Sequence, residues 1–268
     1  MYNQLQFASI ASGSSGNCLF AGSDDCRILI DAGISKKRIE EGLSGMDVDP
    51  GDIDALLITH EHSDHIKGLG VWSRKYKVPV YATKGTLLEV TRMQTLGKID
   101  PALLHVIKPG VPFEVKGTRI LPIPVSHDAR DPVCYRIDHR GKSIGTVTDL
   151  GKYDELILSS LQDCDLLYAE ANHDERMLET GPYPYPLKLR IAGNYGHLSN
   201  ELSGQMIDKL RCERLQTVIL GHLSKENNYP ELALTSVKAE LERHRASGCA
   251  ALSLSVAPRD TASEVFCI

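Results

Sequence analysis

The stretch THEHSDH, residues 59–65, packs two histidines, an aspartate and a third histidine into six positions, directly after the apolar run Ala55 to Ile58. Only ten histidines occur in the 268 residues, so the cluster implies a joint use for His60, His62, Asp64 and His65. Imidazole nitrogens and carboxylate oxygens in this density suit Zn²⁺, Mn²⁺ or Fe²⁺. The run Ile53 to Thr59 reads as a buried strand, which puts the cluster just past a strand's C-terminal end.

Around that strand, short apolar segments alternate with helical ones. Phe7 to Ile10 and Arg27 to Ile30 read as strands separated by a turn containing Ser12, Gly13, Ser14, Ser15, Gly16 and Asn17. Ser35 is a cap for a helix through Leu43, and Ile66 to Tyr76 and Thr83 to Leu96 are further helices flanking a strand at Val78 to Ala82. The middle changes character: Leu103 to Ile107, Pro112 to Val115, Arg119 to Val125, Val133 to Asp138 and Ser143 to Thr148 read as an antiparallel meander, with a hairpin turn at 139–142. Leu166 to Ala169, Thr217 to Leu220 and Ala250 to Val256 then read as strands, and Leu202 to Arg214 and Pro230 to His244 as helices. No repeat or strong linker breaks the chain, so a single α/β domain over residues 1–268 is expected.

Composition narrows the function. Thirty Lys and Arg against 35 Asp and Glu give a net charge of −5, which argues against a generally basic nucleic-acid binder. A phosphate substrate stays open, because bound divalent ions supply positive field locally. The N-terminal residues lack the pattern of a signal peptide, and no run approaches the length of a membrane-spanning helix. The seven cysteines form no CxxC pair and read as reduced thiols of a cytoplasmic protein.

Five later positions repeat the theme of a donor beside an apolar strand: His127, Asp149, Glu170, His197 and His222. Spacing alone does not assign them. THEHSDH, however, resembles the HxHxDH motif of the metallo-beta-lactamase superfamily, and His127, Asp149 and His222 follow in that superfamily's order. The resemblance implies an αββα sandwich, two mixed sheets flanked by helices. It also implies two divalent ions (Zn, Mn or Fe), one held by His60, His62 and His127, the other by Asp64, His65 and His222, with Asp149 bridging. Further blocks are similar to the WalJ-like (YycJ-like) nucleases: ASGSSGNC near the start, LIDAGIS at 29–35, EANHD at 170–174, GPYPYPLK at 181–188, GHLSNE at 196–201 and LGHLSKENN at 220–228. Membership of that branch implies a 5′ to 3′ exonuclease on DNA that uses a hydroxide activated by two ions, with a role in DNA repair. Asp64, His197 and Glu170 are the catalytic candidates on that reading, His197 as proton donor and Glu170 as the group that holds its tautomer.

The same chemistry serves thioesters, small phosphodiesters and RNA, and a metal-stabilised regulatory protein without turnover is the non-enzymatic alternative. Several residues keep two readings. Asp31 either orients a metal-binding histidine or caps the turn into Ala32-Gly33. His173 is a ligand, a phosphate contact or a polar loop residue. The 12–17 turn is a strand connection or a phosphate-facing loop. Lys36-Lys37-Arg38, Arg74 to Lys77, Lys188 and Arg190 are nucleic-acid contacts or solvated charges. Asn200 and Asn227 line the cleft or cap their following helices, the caps being the preferred reading, and Trp72 and the other aromatics read as core rather than base-stacking platforms.

Overall fold

A computed structural model describes residues 4–243 and 252–268. The chain divides into two compact units, one of Met1–Pro124, Ala129–Lys142 and Pro258–Ile268, the other of Val125–Asp128 and Ser143–Ala257.

In the first unit, runs of Val, Ile, Leu and Ala form β1 (Gln6–Ala11), β2 (Cys18–Gly22) and β3 (Arg27–Ile30), paired antiparallel in sequence. Strand β2 was not expected; it lies directly after the Ser-Gly turn. Helix α1 (Lys36–Ser44) starts where Ser35 accepts a hydrogen bond from the Arg38 N–H, 3.3 Å, the expected cap. Strand β4 (Ala55–Leu57) pairs parallel with β3. It is shorter than the run Ile53 to Thr59 because the Thr59 N–H turns to the Asp31 carboxylate instead of a neighbouring strand.

The expected helix from Ile66 to Tyr76 is two, α2 (Ser63–Ile66) and α3 (Leu69–Tyr76). The break falls at Gly68, whose N–H donates to the Ala32 carbonyl, 2.7 Å, and whose Cα is pressed against the Ile34 carbonyl so closely that a side chain would collide there. Strand β5 (Val80–Thr83) follows, then α4 (Lys84–Arg92) and β6 (Leu104–Ile107). Strand β6 pairs parallel with β5, so it extends the first sheet rather than opening the meander. The helical crossovers are what make the β3–β6 run parallel. Helices α1, α3 and α4 bury Ile39, Leu43, Leu69, Trp72, Leu87 and Val90 in one apolar cluster with the sheet residues Leu29, Leu56 and Val80.

The antiparallel part comprises β7 (Phe113–Val115), β8 (Thr118–Pro124) and β9 (Val133–His139). Arg140 and Gly141 take left-handed angles, φ 48° and 82°, as a two-residue hairpin turn requires. Contacts tie these strands to the first sheet: the Tyr135 hydroxyl donates to the Ile58 carbonyl, 2.7 Å, and Tyr81 stacks on Phe113.

The second unit is built on parallel strands β10 (Lys142–Val147), β11 (Leu166–Glu170), β12 (Thr217–Gly221) and β13 (Ser253–Val256). Helix α5 (Glu155–Leu161) connects the first pair. Helices α6 (Glu175–Thr180), α7 (Tyr185–Ile191) and α8 (Asn200–Leu210) connect the second, and α9 (Pro230–Arg243) the third. Helix α8 buries Ser203, Met206, Ile207 and Leu210, the i, i+3, i+4, i+7 face of an amphipathic helix. His244 and the stretch 250–251 of the last expected strand lie outside the described residues.

Strand β14 (Phe266–Cys267) returns to pair with β1, giving a first sheet in the order β14-β1-β2-β3-β4-β5-β6. The second sheet runs β13-β12-β11-β10-β9-β8-β7. Both are mixed and flanked by helices, the αββα class expected from the sequence. The six cysteines among the described residues are free thiols, and among those residues no helix is long and apolar enough to cross a membrane.

Candidate metal centre

In the first unit the motif loop begins where β4 ends, and Asn17, Asp31, Thr59, His60 and His65 are buried. Asp31, in the left-handed region at φ 62°, follows β3 and is the hub. Its Oδ1 accepts the Thr59 N–H, 2.8 Å, and its Oδ2 accepts both the Thr59 hydroxyl, 2.8 Å, and His65 Nδ1, 2.7 Å. Asp31 therefore orients a histidine and holds the start of the motif loop; it does not cap the turn into Ala32-Gly33, whose N–H groups go to the His65 and Asn17 carbonyls. A non-glycine residue at positive φ costs on the order of 1–3 kcal/mol and persists where surrounding structure enforces it; aspartate tolerates it better than most.

The imidazoles converge. Ring centroids are 4.6 Å apart for His60 and His62 and 4.1 Å for His60 and His65, while Asp64 Oδ2 lies 3.5 Å from His65 Nε2. Helix α2, entered at His62, carries Asp64 and His65 in its single turn. From below, Gly33 N–H donates to the Asn17 carbonyl and Asn17 N–H to the Asp64 carbonyl, both at 2.8 Å. The Asn17 amide also reaches His65 Nε2, 3.1 Å. A Cβ on Gly33 would run into the Asp64 carbonyl. The Ser-Gly turn is thus a support for the motif loop. From the side, β9 clamps it: Val133 N–H donates to the Thr59 carbonyl, 3.1 Å, and Arg130 N–H to Glu61 Oε1, 2.7 Å.

In the second unit the donors come from the ends of separate strands. Asp149 lies two residues past β10 at φ 58°, Glu170 closes β11, and His222 follows β12 at φ 54°. His197 stands in the turn before α8. Single donor atoms of Asp149, Glu170, His197 and His222 all lie within 4.8 Å of one another. Glu170, fully buried, accepts from His197 Nδ1, 2.9 Å, and His222 Nδ1, 2.7 Å, on one oxygen. Its other oxygen accepts the N–H groups of Leu150, 3.3 Å, and Leu198, 3.1 Å. Burial alone would raise the Glu170 pKa; the two imidazoles outweigh it and hold the carboxyl well below the usual range. His127 Nδ1 donates to the Gly196 carbonyl, 3.0 Å, and its Nε2 is 3.9 Å from Asp149 Oδ1.

These partners fix tautomers. Nδ1 of His65, His127 and His222 faces a carboxylate or carbonyl acceptor. The Thr59 hydroxyl has one proton, which goes to Asp31, so it accepts from His60 Nδ1, 3.0 Å. In the neutral form all four rings therefore carry their lone pair on Nε2, the arrangement that metal-binding histidines take when an outer partner holds the other nitrogen. The donor chemistry fits divalent ions bound by imidazole and carboxylate.

His173 stands apart from that group. It is 2% exposed, its pKa is pushed down to about 4 by burial, and among the described residues Nδ1 has no hydrogen-bond partner. It lines a cavity of about 490 Å³ that His197 also lines. The asparagine expectations need correction: Ser199 caps α8, and Asn200 lies inside the helix in a reciprocal amide pair with Asn228. Asn227 lies three residues before α9 and gives its carbonyl to Asp174. Basic runs are engaged locally: Lys36 and Lys75 with Glu40, Lys37 with Glu41, and Arg74 with the Leu96 and Lys98 carbonyls. Arg190 pairs with Asp128, and Lys188 donates to the Glu179 carbonyl. Trp72 is core. Sequence reasoning missed Thr59 and Asn17 as supports and the second imidazole on Glu170; a hydroxyl directly before the first histidine was the one available cue.

Residues 26–222 match the family described as the beta-lactamase superfamily domain. The chain belongs to this superfamily, and its fold and clustered donors make it a metal-dependent hydrolase. It is 40% identical over 229 residues, 85% of each chain, to Exodeoxyribonuclease WalJ of Streptococcus pneumoniae serotype 2 strain D39. Exodeoxyribonuclease YycJ of Bacillus anthracis is 35% identical over 238 residues, 89% of each chain. Within the superfamily the chain thus falls in the WalJ/YycJ branch. Its fold is also that of the metallo-beta-lactamase fold protein YhfI from Bacillus subtilis, with a TM-score of 0.75 at 15% identity over 98% of this chain and 99% of that one.

Proposed function

We propose that the protein is a 5′ to 3′ DNA exonuclease of the cytoplasm, acting in DNA repair as one domain over residues 1–268. The observation that carries this reading is the 40% identity to an exodeoxyribonuclease across 85% of the chain. The one-domain reading draws on a single family match that runs from residue 26 to 222.

Under this proposal His60, His62 and His127 would hold one ion and Asp64, His65 and His222 the other, with Asp149 a ligand common to both; zinc, manganese and iron all suit the donors. Two such ions supply Lewis acidity toward a phosphoryl group and an acidified water. The protein's own work is orientation and proton transfer. Asp31 and Glu170 hold the rings of His65 and His222 with Nε2 as ligand. Asp64, beside His65, serves both as ligand and as a carboxylate facing the attacking water. As water oxygen bonds to phosphorus and the P–O3′ bond breaks, the water gives a proton to the Asp64 carboxylate, and His197, as an imidazolium with its Nδ1–H on Glu170, gives its Nε2 proton to the departing 3′ oxygen. The products are a nucleotide with a 3′ hydroxyl and a strand with a new 5′ phosphate.

The test is product length from metal-loaded protein and 5′-phosphorylated duplex DNA labelled at either end. Early release of mononucleotide from the 5′ label, with progressive shortening of the 3′-labelled strand, is expected. Asp149→Ala should bring turnover to background together with a lower metal content. Intact DNA with loaded metal would sink the nuclease reading in favour of RNA, small phosphodiesters or thioesters.

A further inference from the structure

The cavity beside His197 lies wholly within the second unit, and the reaction proposed above leaves it without an occupant. Its volume, about 490 Å³, falls in the range of small-molecule sites and holds a nucleoside. The wall is apolar, from Leu178, Leu189 and Leu202. Tyr185, 71% exposed at the start of α7, offers an aromatic face. His173, 98% buried, lines the cavity with Nδ1 lacking a partner among the described residues, which is costly unless a bound group completes the hydrogen bond. Glu175, Glu179 and Lys188 also line it, with Lys188 Nζ on the Glu179 carbonyl. The two carboxylates can accept from the amino groups of a base.

We propose that this cavity binds the base and sugar of the 5′-terminal nucleotide, the one whose 3′ oxygen departs. The inference rests on the exonuclease reading and assigns that reaction a subsite. The base stacks on Tyr185 between the leucines, its edge meets His173 Nδ1, and the sugar's 3′ oxygen faces His197. Stacking tolerates every base, so the site grips a terminal nucleotide without selecting sequence.

The experiment compares kcat/KM for metal-loaded protein on 5′-phosphorylated duplexes whose terminal nucleotide is intact or abasic. Removing the base should cost roughly 5- to 150-fold, the span that one base–aromatic stack supplies. Tyr185→Ala, at an exposed position that the fold does not need, should lower the intact-DNA value to near the abasic one. Equal values on the two substrates, or undiminished discrimination in Tyr185→Ala, would overturn the proposal. Should DNA stay whole, the exonuclease reading fails on its own, and titration with dAMP judges the cavity. Binding weakened at least about 5-fold by Tyr185→Ala keeps the nucleotide site; absent or unaltered binding removes it.

Discussion

The two halves of the donor set are built in opposite ways. In the first unit, four donors lie within six residues, and one strand end, one helical turn and one buried carboxylate hold them. In the second, His127, Asp149, Glu170, His197 and His222 come from five separate segments. Local construction makes the first half tolerant: Asp31 orients one imidazole directly, and the Asn17, Gly33 and β9 contacts hold the loop independently of it. The second half concentrates its geometry in Glu170, which serves two imidazoles from one oxygen and two backbone N–H groups from the other.

Glu170→Gln is therefore expected to do the most damage. An outer partner of a metal ligand is worth about 10–100-fold in metal affinity or activity, and Glu170 holds both the proposed ligand His222 and the proton donor His197, so the loss in turnover should exceed that of Asp31→Asn. Metal content by mass spectrometry and single-turnover rates measure it; a loss no larger than that of Asp31→Asn would break the contrast between the halves.

The next effect sits beside the second half. His173 has a folded pKa of about 4 against an ordinary 6.5. As pH falls the unfolded chain binds this proton first, so the stability present above about 6.5 drains away between 6.5 and 4, by about 3 kcal/mol. Urea unfolding across that window should show a shallower slope in His173→Gln than in the parent; parallel slopes would mean that burial does not keep the ring neutral.

Asp31→Asn should weaken metal binding by about 10–100-fold at the ion that His65 would hold; unchanged metal content would show that the Asn17, Gly33 and β9 contacts hold His65 without it. Thr59→Val, which removes one hydroxyl from the same hub, should cost about 1 kcal/mol of stability, read as a shift in the denaturation midpoint.

How much of this was legible in the residues follows the same division. Short-range features came through: the Ser35 cap, the β4 strand, the hairpin turn at Arg140-Gly141, and the motif itself, whose four donors are neighbours in the chain. Where the sequence misled, a distant backbone intervened. The helix expected over Ile66 to Tyr76 breaks because Gly68 packs on Ala32 and Ile34, and β6 joins the first sheet because α4 carries the chain across it. Ser199 rather than Asn200 caps α8, because the Asn200 amide is taken by Asn228.

What the sequence determined by itself is the chemistry: histidine and carboxylate donors at strand ends, in an order that names the superfamily. What only the tertiary structure decided is the set of partners. That Asp31 meets His65 and that one Glu170 oxygen meets both His197 and His222 are contacts between residues 27 to 52 positions apart, and His173 faces a cavity that His197 also lines. Local propensity carries no information about such pairs. Packing of the sheets and helices brings them together, and hydrogen-bond satisfaction in a buried setting keeps them there.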